Sequence, residues 1–131
     1  MRRTAYLVVL LGILFGIFTA GCSSQKSSGA AKAIESYLNA VVARNVDQAT
    51  ALACKEYAES AQTDVDSFAA VTPRLEGLAC QESGQDGSAA LVTCKGKIVA
   101  TYNNEDQEIS LEGRTYKVVQ QGGEWLMCGY K

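Results

Sequence analysis

The sequence predicts an α+β domain in which helices come first and an antiparallel sheet of about four strands follows, with the helices covering one face. Apolar residues recur every three to four positions before Pro73, and at every second position beyond it. The chain has 131 residues, of which 47% are hydrophobic and 20% charged, a mixture typical of one globular domain.

Three helices are predicted before Pro73. The first begins near residue 28 and is the clearest, because its apolar residues form one stripe along AAKAIESYLNAVVAR. We expect Asn45 to end this helix in the left-handed conformation and Asp47 to cap a second helix that reaches about residue 57. A third, short helix is predicted to start after Thr63 or Asp64 and to stop before the proline.

Four strands are predicted beyond Pro73, over residues 75–82, 88–102, 109–118 and 124–130. Gly113 is expected to mark a bulge where the alternation slips by one residue. In the second strand one face is apolar and is predicted to meet the helices, and it comprises Ala90, Val92, Cys94, Ile98, Ala100 and Tyr102. Val99 lies on the otherwise polar face and weakly favours an interface there.

The first 21 residues have the order of a secretory signal peptide. Two basic residues precede an uncharged, mostly apolar run, and small residues then precede Cys22. The four residues Thr19-Ala20-Gly21-Cys22 resemble a lipobox, which implies diacylglycerol attachment to the cysteine and cleavage just before it. The alternative is an uncleaved transmembrane anchor, but the apolar run is short for a span of about 20 residues.

This leader predicts how the rest of the chain is organised. Residues 22–29 are polar and rich in Gly and Ser, as expected of a flexible tether, and residues 30–131 form the single domain. The chain is therefore expected to be a lipoprotein on the extracytoplasmic side of a bacterial membrane.

Four cysteines remain after Cys22 is assigned to lipid. An even number in an exported domain indicates two disulfides, with three possible pairings, against the alternative of four free thiols. Cys80 and Cys94 flank a turn rich in Gly and Asp, which favours a bond between adjacent strands. Cys54 would then join Cys128 in the last strand. The spacings contain no CxxC, so neither a redox motif nor a zinc site is indicated.

Composition argues against several classes of function. The chain has no histidine, which removes Ser-His-Asp and Cys-His catalysis and every metal site that needs imidazole. No basic tract follows the leader, so nucleic acid binding is not expected. We predict no metal, no cofactor and no catalytic residues.

The long first helix, the corner Arg44-Asn45-Val46-Asp47 and the hairpin YKVVQQGGEWLMCGY resemble the nuclear transport factor two-like superfamily. That resemblance implies a cone, in which a curved antiparallel sheet wraps the first helix. In particular, the chain resembles the small lipoproteins of this superfamily, which pair a cysteine after the second helix with one in the last strand.

Enzymes of this superfamily place an aspartate, a histidine or a tyrosine inside the cone, and this chain has no histidine. The carboxylates of this chain are predicted at caps, turns or polar helix faces, namely Glu35, Asp47, Glu56, Asp64, Asp66, Asp86, Glu105, Asp106, Glu108 and Glu124. Tyr37, Tyr102 and Tyr116 are the candidate pocket-lining residues, or else core aromatics. Trp125 is expected on the outer face of the sheet.

Three functions are compatible with this sequence. The favoured hypothesis is a non-catalytic module that contacts another envelope protein or a second copy of itself, which a closed, water-sized interior would support. The second is a carrier or sensor of a small apolar ligand in a pocket of roughly 300 Å³ or more. The third is a histidine-independent isomerase or dehydratase, which requires a carboxylate in that pocket within hydrogen-bond reach of a tyrosine.

Overall fold

Three helices precede an antiparallel sheet of five strands in residues 28–131, which are the part of the chain that the computed structural model describes. The elements are α1 (Gly29–Val42), α2 (Val46–Ala51), α3 (Ala58–Asp66), β1 (Thr72–Asp86), β2 (Ala89–Tyr102), β3 (Glu105–Ser110), β4 (Thr115–Gln121) and β5 (Glu124–Tyr130). The predicted α+β order is confirmed. The predicted signal peptide and Cys22 lie outside the described residues. Within residues 28–131, no helix is both long and apolar enough to cross a membrane.

Helix α1 forms where the apolar stripe predicted it. The Ser28 side chain accepts a hydrogen bond from the Ala31 N–H at 3.2 Å and so caps the first turn. The stripe is buried against the sheet, with Ile34 and Tyr37 at 0% and 2% exposed. Burying one large apolar side chain of this kind contributes about 1.5–3 kcal/mol.

The corner after α1 differs from the prediction. Arg44, not Asn45, takes a positive φ of 56°, and Asn45 caps α2 by accepting the Gln48 N–H at 3.0 Å. Asp47 lies in the first turn of α2, where its negative charge interacts favourably with the positive end of the helix dipole. The predicted roles of Asn45 and Asp47 are therefore wrong, because the amide of Asn45 already supplies the cap.

Helix α2 is shorter than predicted and α3 begins earlier. The chain leaves α2 at Leu52 to pair with β5, since the Met127 N–H donates to the Leu52 carbonyl and the Cys54 N–H donates to the Met127 carbonyl, both at 2.8 Å. Helix α3 then spans Ala58–Asp66, which places Asp64 in its last turn and not before its start.

The sheet is organised around β2, the long central strand. Strand β1 pairs with one edge of β2, while β3 and β4 share the other edge, and β5 pairs with β4. Lys97 pairs with Ser110 in β3, but Thr93 pairs with Thr115 in β4, so the register changes by one residue between them. The slip predicted at Gly113 is confirmed, but the predicted third strand is two strands.

Val99 is buried on the outer face of the sheet and does not mark an interface. It is 1% exposed and pairs with Arg74 in β1 and with Glu108 in β3. Arg74 binds Glu76 and Asp106 at 3.0 Å each, and Lys97 binds Glu108 at 2.6 Å. Arg74 and Glu108 flank the valine on the neighbouring strands, and long side chains of this kind bury apolar surface under their stems.

Trp125 lies on the inner face, contrary to the prediction. Its side chain packs partly buried against the core. A Cβ placed on Gly29 would lie 2.8 Å from the indole Cδ1, so the ring contacts the first turn of α1. The reason is the parity of β5, since Trp125 shares a face with the fully buried Met127 two residues on.

Both disulfides pair the cysteines as predicted. Cys80 and Cys94 are directly opposite each other in β1 and β2, with a Cα–Cα distance of 4.1 Å. Cys54 and Cys128 join the segment after α2 to β5, with a Cα–Cα distance of 5.2 Å. Two disulfides indicate an oxidising, extracytoplasmic environment.

Candidate functional site

A pocket of about 170 Å³ lies between α1, the end of α3 and the inner face of the sheet. Its apolar wall consists of Leu38, Val41, Phe68, Ile98 and Ile109. Its polar groups belong to Tyr37, Asp64, Ser67, Arg114, Tyr116 and Tyr130. The pocket therefore combines an apolar interior with a few polar groups, as small-molecule sites commonly do.

Asp64 is held by two tyrosines on the helical side of the pocket. The hydroxyls of Tyr37 and Tyr57 donate to the same carboxylate oxygen, Oδ2, at 2.7 and 3.0 Å. The two rings pack edge to face, with their centroids 6.4 Å apart. The prediction that every carboxylate serves a cap, a turn or a polar helix face is wrong for Asp64, because the early start of α3 turns it towards α1.

A second carboxylate serves the backbone of the sheet. Glu35 in α1 accepts the Cys80 N–H at 3.0 Å, close to the register shift between Glu76 and Ala79 where β1 bulges away from β2. Cys80 is in regular register with Cys94 on the edge strand β1, and the short Cα–Cα distance of 4.1 Å is typical of a pair without ladder hydrogen bonds, so the carboxylate satisfies an N–H that points away from β2. Glu35 therefore ties α1 to β1 and does not line the pocket.

Burial and charge keep the Asp64 tyrosines protonated. Burial raises the pKa of Tyr37 well above its ordinary value, and its hydrogen bond to the Asp64 carboxylate raises the pKa further. The pKa of Tyr57 is raised for the same reasons, burial being the largest and the Asp64 charge the next. Both side chains are therefore hydrogen-bond donors at neutral pH and poor proton acids.

We expect these tyrosines to make the fold sensitive to alkali. Because their folded pKa lies above the unfolded value of about 10, they stabilise the fold fully below that pH and lose their contribution as pH rises through the folded pKa. Unfolding in urea, followed by circular dichroism, should show stability falling more steeply above pH 10 in the wild type than in Tyr37→Phe.

Tyr102→Phe is the matched control for this titration, because the Tyr102 side chain is 55% exposed. It should keep the wild-type dependence on pH. A Tyr37→Phe variant with an unchanged alkaline slope would contradict the prediction.

Tyr116 supplies an unsatisfied hydroxyl on the strand side of the pocket. Its side chain is 1% exposed, and its hydroxyl has no hydrogen-bond partner among the described residues. Burial raises its pKa, although the charge of the nearby Arg114 and the approach of its N–H donors to the hydroxyl oxygen lower it in part. Leaving such a group unpaired costs about 1–3 kcal/mol, so a bound acceptor would be stabilised here.

Arg114 lies beside this hydroxyl. Its guanidinium carbon is 5.3 Å from the centre of the Tyr130 ring, and that ring is 5.8 Å from the ring of Tyr116. The three side chains thus form one cluster at the pocket wall. Stacking uses the face of the guanidinium, so its N–H donors lie in the plane and can reach groups at its edge.

Two of the three predicted pocket tyrosines line the pocket. Tyr37 and Tyr116 do so, but the prediction for Tyr102 is wrong. By the alternation of β2, Tyr102 belongs to the inward-facing residues. It is exposed nonetheless, because it is the last residue of β2, beside the turn to β3. Asp64 and Arg114 were missed, although the seven-residue spacing from Tyr57 to Asp64 would place both on one helix face.

One group of potential metal ligands lies outside the pocket. Cys54, Glu56 and Cys128 bring their ligand atoms within 4.8 Å of one another. The two sulfurs are joined in a disulfide, so they offer no thiolate to a metal. This group serves stability, not coordination.

No family model and no curated protein matches this chain. Its fold is similar to that of RPA3114, a SEC-C motif containing protein from Rhodopseudomonas palustris, with a TM-score of 0.52, 12% identity, and 81% of this chain and 80% of that one covered. It is also similar to Aln2 from a Streptomyces species, with a TM-score of 0.52, 8% identity, and 76% and 82% covered. An NTF2-like designed protein, Rd1NTF2_05, gives a TM-score of 0.43 at 12% identity, with 76% of this chain and 94% of that one covered. That score is too low to support an inference. At these identities the likeness concerns the fold alone.

Proposed function

We propose that this chain is a lipid-anchored protein of the bacterial cell envelope whose cone pocket binds a small ligand without transforming it. The signal-like leader and the lipobox at Cys22 support export and anchoring. The two disulfides are consistent with that location. Ligand binding is a more specific proposal than the contact module that the sequence favours, and it derives from the pocket.

The observation that carries this proposal is an apolar pocket with an unsatisfied buried hydroxyl. Its volume of about 170 Å³ is larger than a water-sized interior but smaller than the roughly 300 Å³ that the carrier hypothesis requires, so the proposal is restricted to a smaller ligand. An engineered protein cavity of about 150 Å³ holds benzene. The ligand is therefore about the size of a single ring, with one polar group that reaches Tyr116.

The surface of the domain gives less support to a protein-contact role. Among residues 28–131, the large hydrophobic side chains that are exposed are Tyr102 and Tyr130, at 55% and 46%. Two tyrosines are less than the contiguous apolar patch that usually marks a stable interface. A homodimer or another envelope protein is the alternative partner.

A second candidate is a histidine-independent isomerase or dehydratase. The contact between Asp64 and Tyr37 meets its requirement for a carboxylate and a tyrosine in one pocket. However, the raised pKa of Tyr37 makes this side chain a weak acid for catalysis near neutrality. We therefore favour binding without chemistry.

Co-purification tests the proposed function. The full chain, purified in lipid nanodiscs and denatured, should release a small organic molecule that mass spectrometry detects at about one copy per protein. Ile109→Trp, which fills the pocket, should remove it, whereas Val119→Trp on the opposite face of the sheet should not. Recovery of a ligand from Ile109→Trp as from the wild type would contradict the proposal.

The same ligand distinguishes binding from catalysis. Incubated with fresh protein, it should be recovered unchanged. An isomerised or dehydrated product would instead support the enzyme, provided that Asp64→Asn abolishes its formation.

The proposed anchor makes its own prediction. Cys22→Ala removes the thiol that receives diacylglycerol, so metabolic labelling with a fatty acid should fall to background and the protein should leave the membrane fraction or keep its leader. Ser23→Ala, next to it, should label like the wild type. Unchanged labelling of Cys22→Ala would refute lipid attachment at this residue.

A further inference from the structure

The Arg114 charge lines the pocket without a partner of opposite sign. Within residues 28–131, no carboxylate oxygen lies within 4.0 Å of its guanidinium, and it stacks at 5.3 Å over the Tyr130 ring. Arg74 on the outer face provides the contrast, since it binds two carboxylates at 3.0 Å each. A half-buried guanidinium without a carboxylate partner is a site for an anion.

Tyr116 provides a second donor next to this charge. Its hydroxyl is buried and donates to no acceptor among the described residues, and the Arg114 guanidinium lies close to its oxygen. The two groups come from the start of β4 and the residue before it, which fixes their spacing on a rigid element. One bound group with two acceptor oxygens would satisfy both donors.

The opposite side of the pocket determines how a charged ligand is oriented. The carboxylate of Asp64 is on the helical side, where Tyr37 and Tyr57 donate to it. Its negative charge disfavours an anion there, so an anionic group is directed to Arg114 on the strand side. Between the two sides the wall is apolar, with Leu38 and Ile98 among its residues.

We propose that the ligand is a small monocarboxylate with an apolar body, whose carboxylate binds Arg114 and the Tyr116 hydroxyl while the body packs against the apolar wall. One unpaired guanidinium matches one negative charge, and the volume of about 170 Å³ matches a body of one ring. This inference rests on the proposed function, because it identifies the class of ligand for the same pocket.

Three probes of one shape and different charge test the inference. Benzoate is anionic at neutral pH, benzamide is a neutral molecule of nearly equal volume, and benzylamine is cationic. Binding to the full chain in nanodiscs is measured by ligand-observed NMR titration, with empty nanodiscs as the blank for partitioning into lipid. Benzoate should bind about tenfold more tightly than benzamide, as one charge-assisted contact predicts, and benzylamine should bind least.

Variants connect the preference to its residues. Arg114→Gln should weaken benzoate binding about tenfold and leave benzamide binding unchanged, and Tyr116→Phe should weaken benzoate binding about fivefold. Lys117→Gln is the matched control, because it removes a cation from the exposed side of the same strand and should change neither affinity. Thermal unfolding of each variant shows whether it is folded at the assay temperature.

Each outcome decides one proposal. If no probe binds and no ligand co-purifies, the proposed function fails together with this inference. If benzamide or benzylamine binds as tightly as benzoate, or if Arg114→Gln binds benzoate like the wild type, the pocket is a binding site but the carboxylate inference is overturned.

Discussion

Replacing Cys54 and Cys128 together by alanine should lower the free energy of unfolding by about 4 kcal/mol. The two residues are 74 positions apart, so their bond closes most of the domain into one loop and restricts the unfolded chain strongly. A small domain has about 5–15 kcal/mol of stability in total, so the variant should be partly unfolded at 37 °C.

Urea unfolding followed by circular dichroism measures this loss. The matched control is Cys80→Ala with Cys94→Ala, whose 14-residue separation predicts a smaller loss of about 3 kcal/mol. Peptide mapping without reduction should show Cys54 linked to Cys128. A mapped link from Cys54 to Cys80 or Cys94, or a loss below about 1 kcal/mol, would contradict the assignment.

This disulfide also bears on the pocket. Cys54 immediately precedes the turn that leads to Tyr57 and α3, and Tyr57 holds Asp64. Losing the bond frees the segment that orients the helical side of the site. Ligand binding should therefore weaken in the Cys54/Cys128 variant more than in the Cys80/Cys94 variant.

Gly96→Ala should destabilise the domain by about 4 kcal/mol. Gly96 has a φ of +100°, and a Cβ there would lie 2.5 Å from the Glu76 carbonyl oxygen and 2.6 Å from that of Gly77. Both atoms belong to the backbone of the β1 bulge, which cannot move aside without breaking its pairing. Gly96 also accepts the Leu111 N–H at 3.0 Å, so the strain reaches the connection between β3 and β4.

Gly113→Ala separates the clash from the backbone conformation. Gly113 has a similar φ of +85°, but a Cβ there meets nothing within 4 Å. It should therefore lose only about 1–2 kcal/mol, the usual penalty for a left-handed alanine. Equal losses for the two variants in urea unfolding would show that the contact with β1 does not matter.

The local sequence was sufficient for features that depend on neighbouring residues. The stripe from Ala30 to Val41 predicts α1, and the alternation along β2 predicts its buried face. The Cys80–Cys94 pairing follows from the turn between the two cysteines, because a hairpin brings flanking residues together. Even the one-residue slip near Gly113 is visible in the phase of the apolar positions.

The errors at the pocket and at Trp125 concern residues whose partners are distant in the chain, whereas the error at Asn45 is local. Asp64 resembles a cap in the sequence because its tyrosine partner in α1 is 27 residues away. Trp125 is predicted on the outer face because its contact with the first turn of α1 joins opposite ends of the domain. Arg114 carries no signal at all, since an unpaired charge is recognisable only when its surroundings are known.

By itself, the sequence determined the helix and strand periods, the α+β order and the Cys80–Cys94 pairing, because each follows from backbone geometry and residues close in the chain. The Cys54–Cys128 pairing followed only as the remaining pair. The tertiary structure alone decided which polar groups share the pocket. Tyr37, Asp64, Arg114 and Tyr116 come from α1, α3 and the start of β4, and only the packing of these elements brings them to one apolar cavity. Pocket chemistry depends on such long-range contacts, which no local pattern encodes.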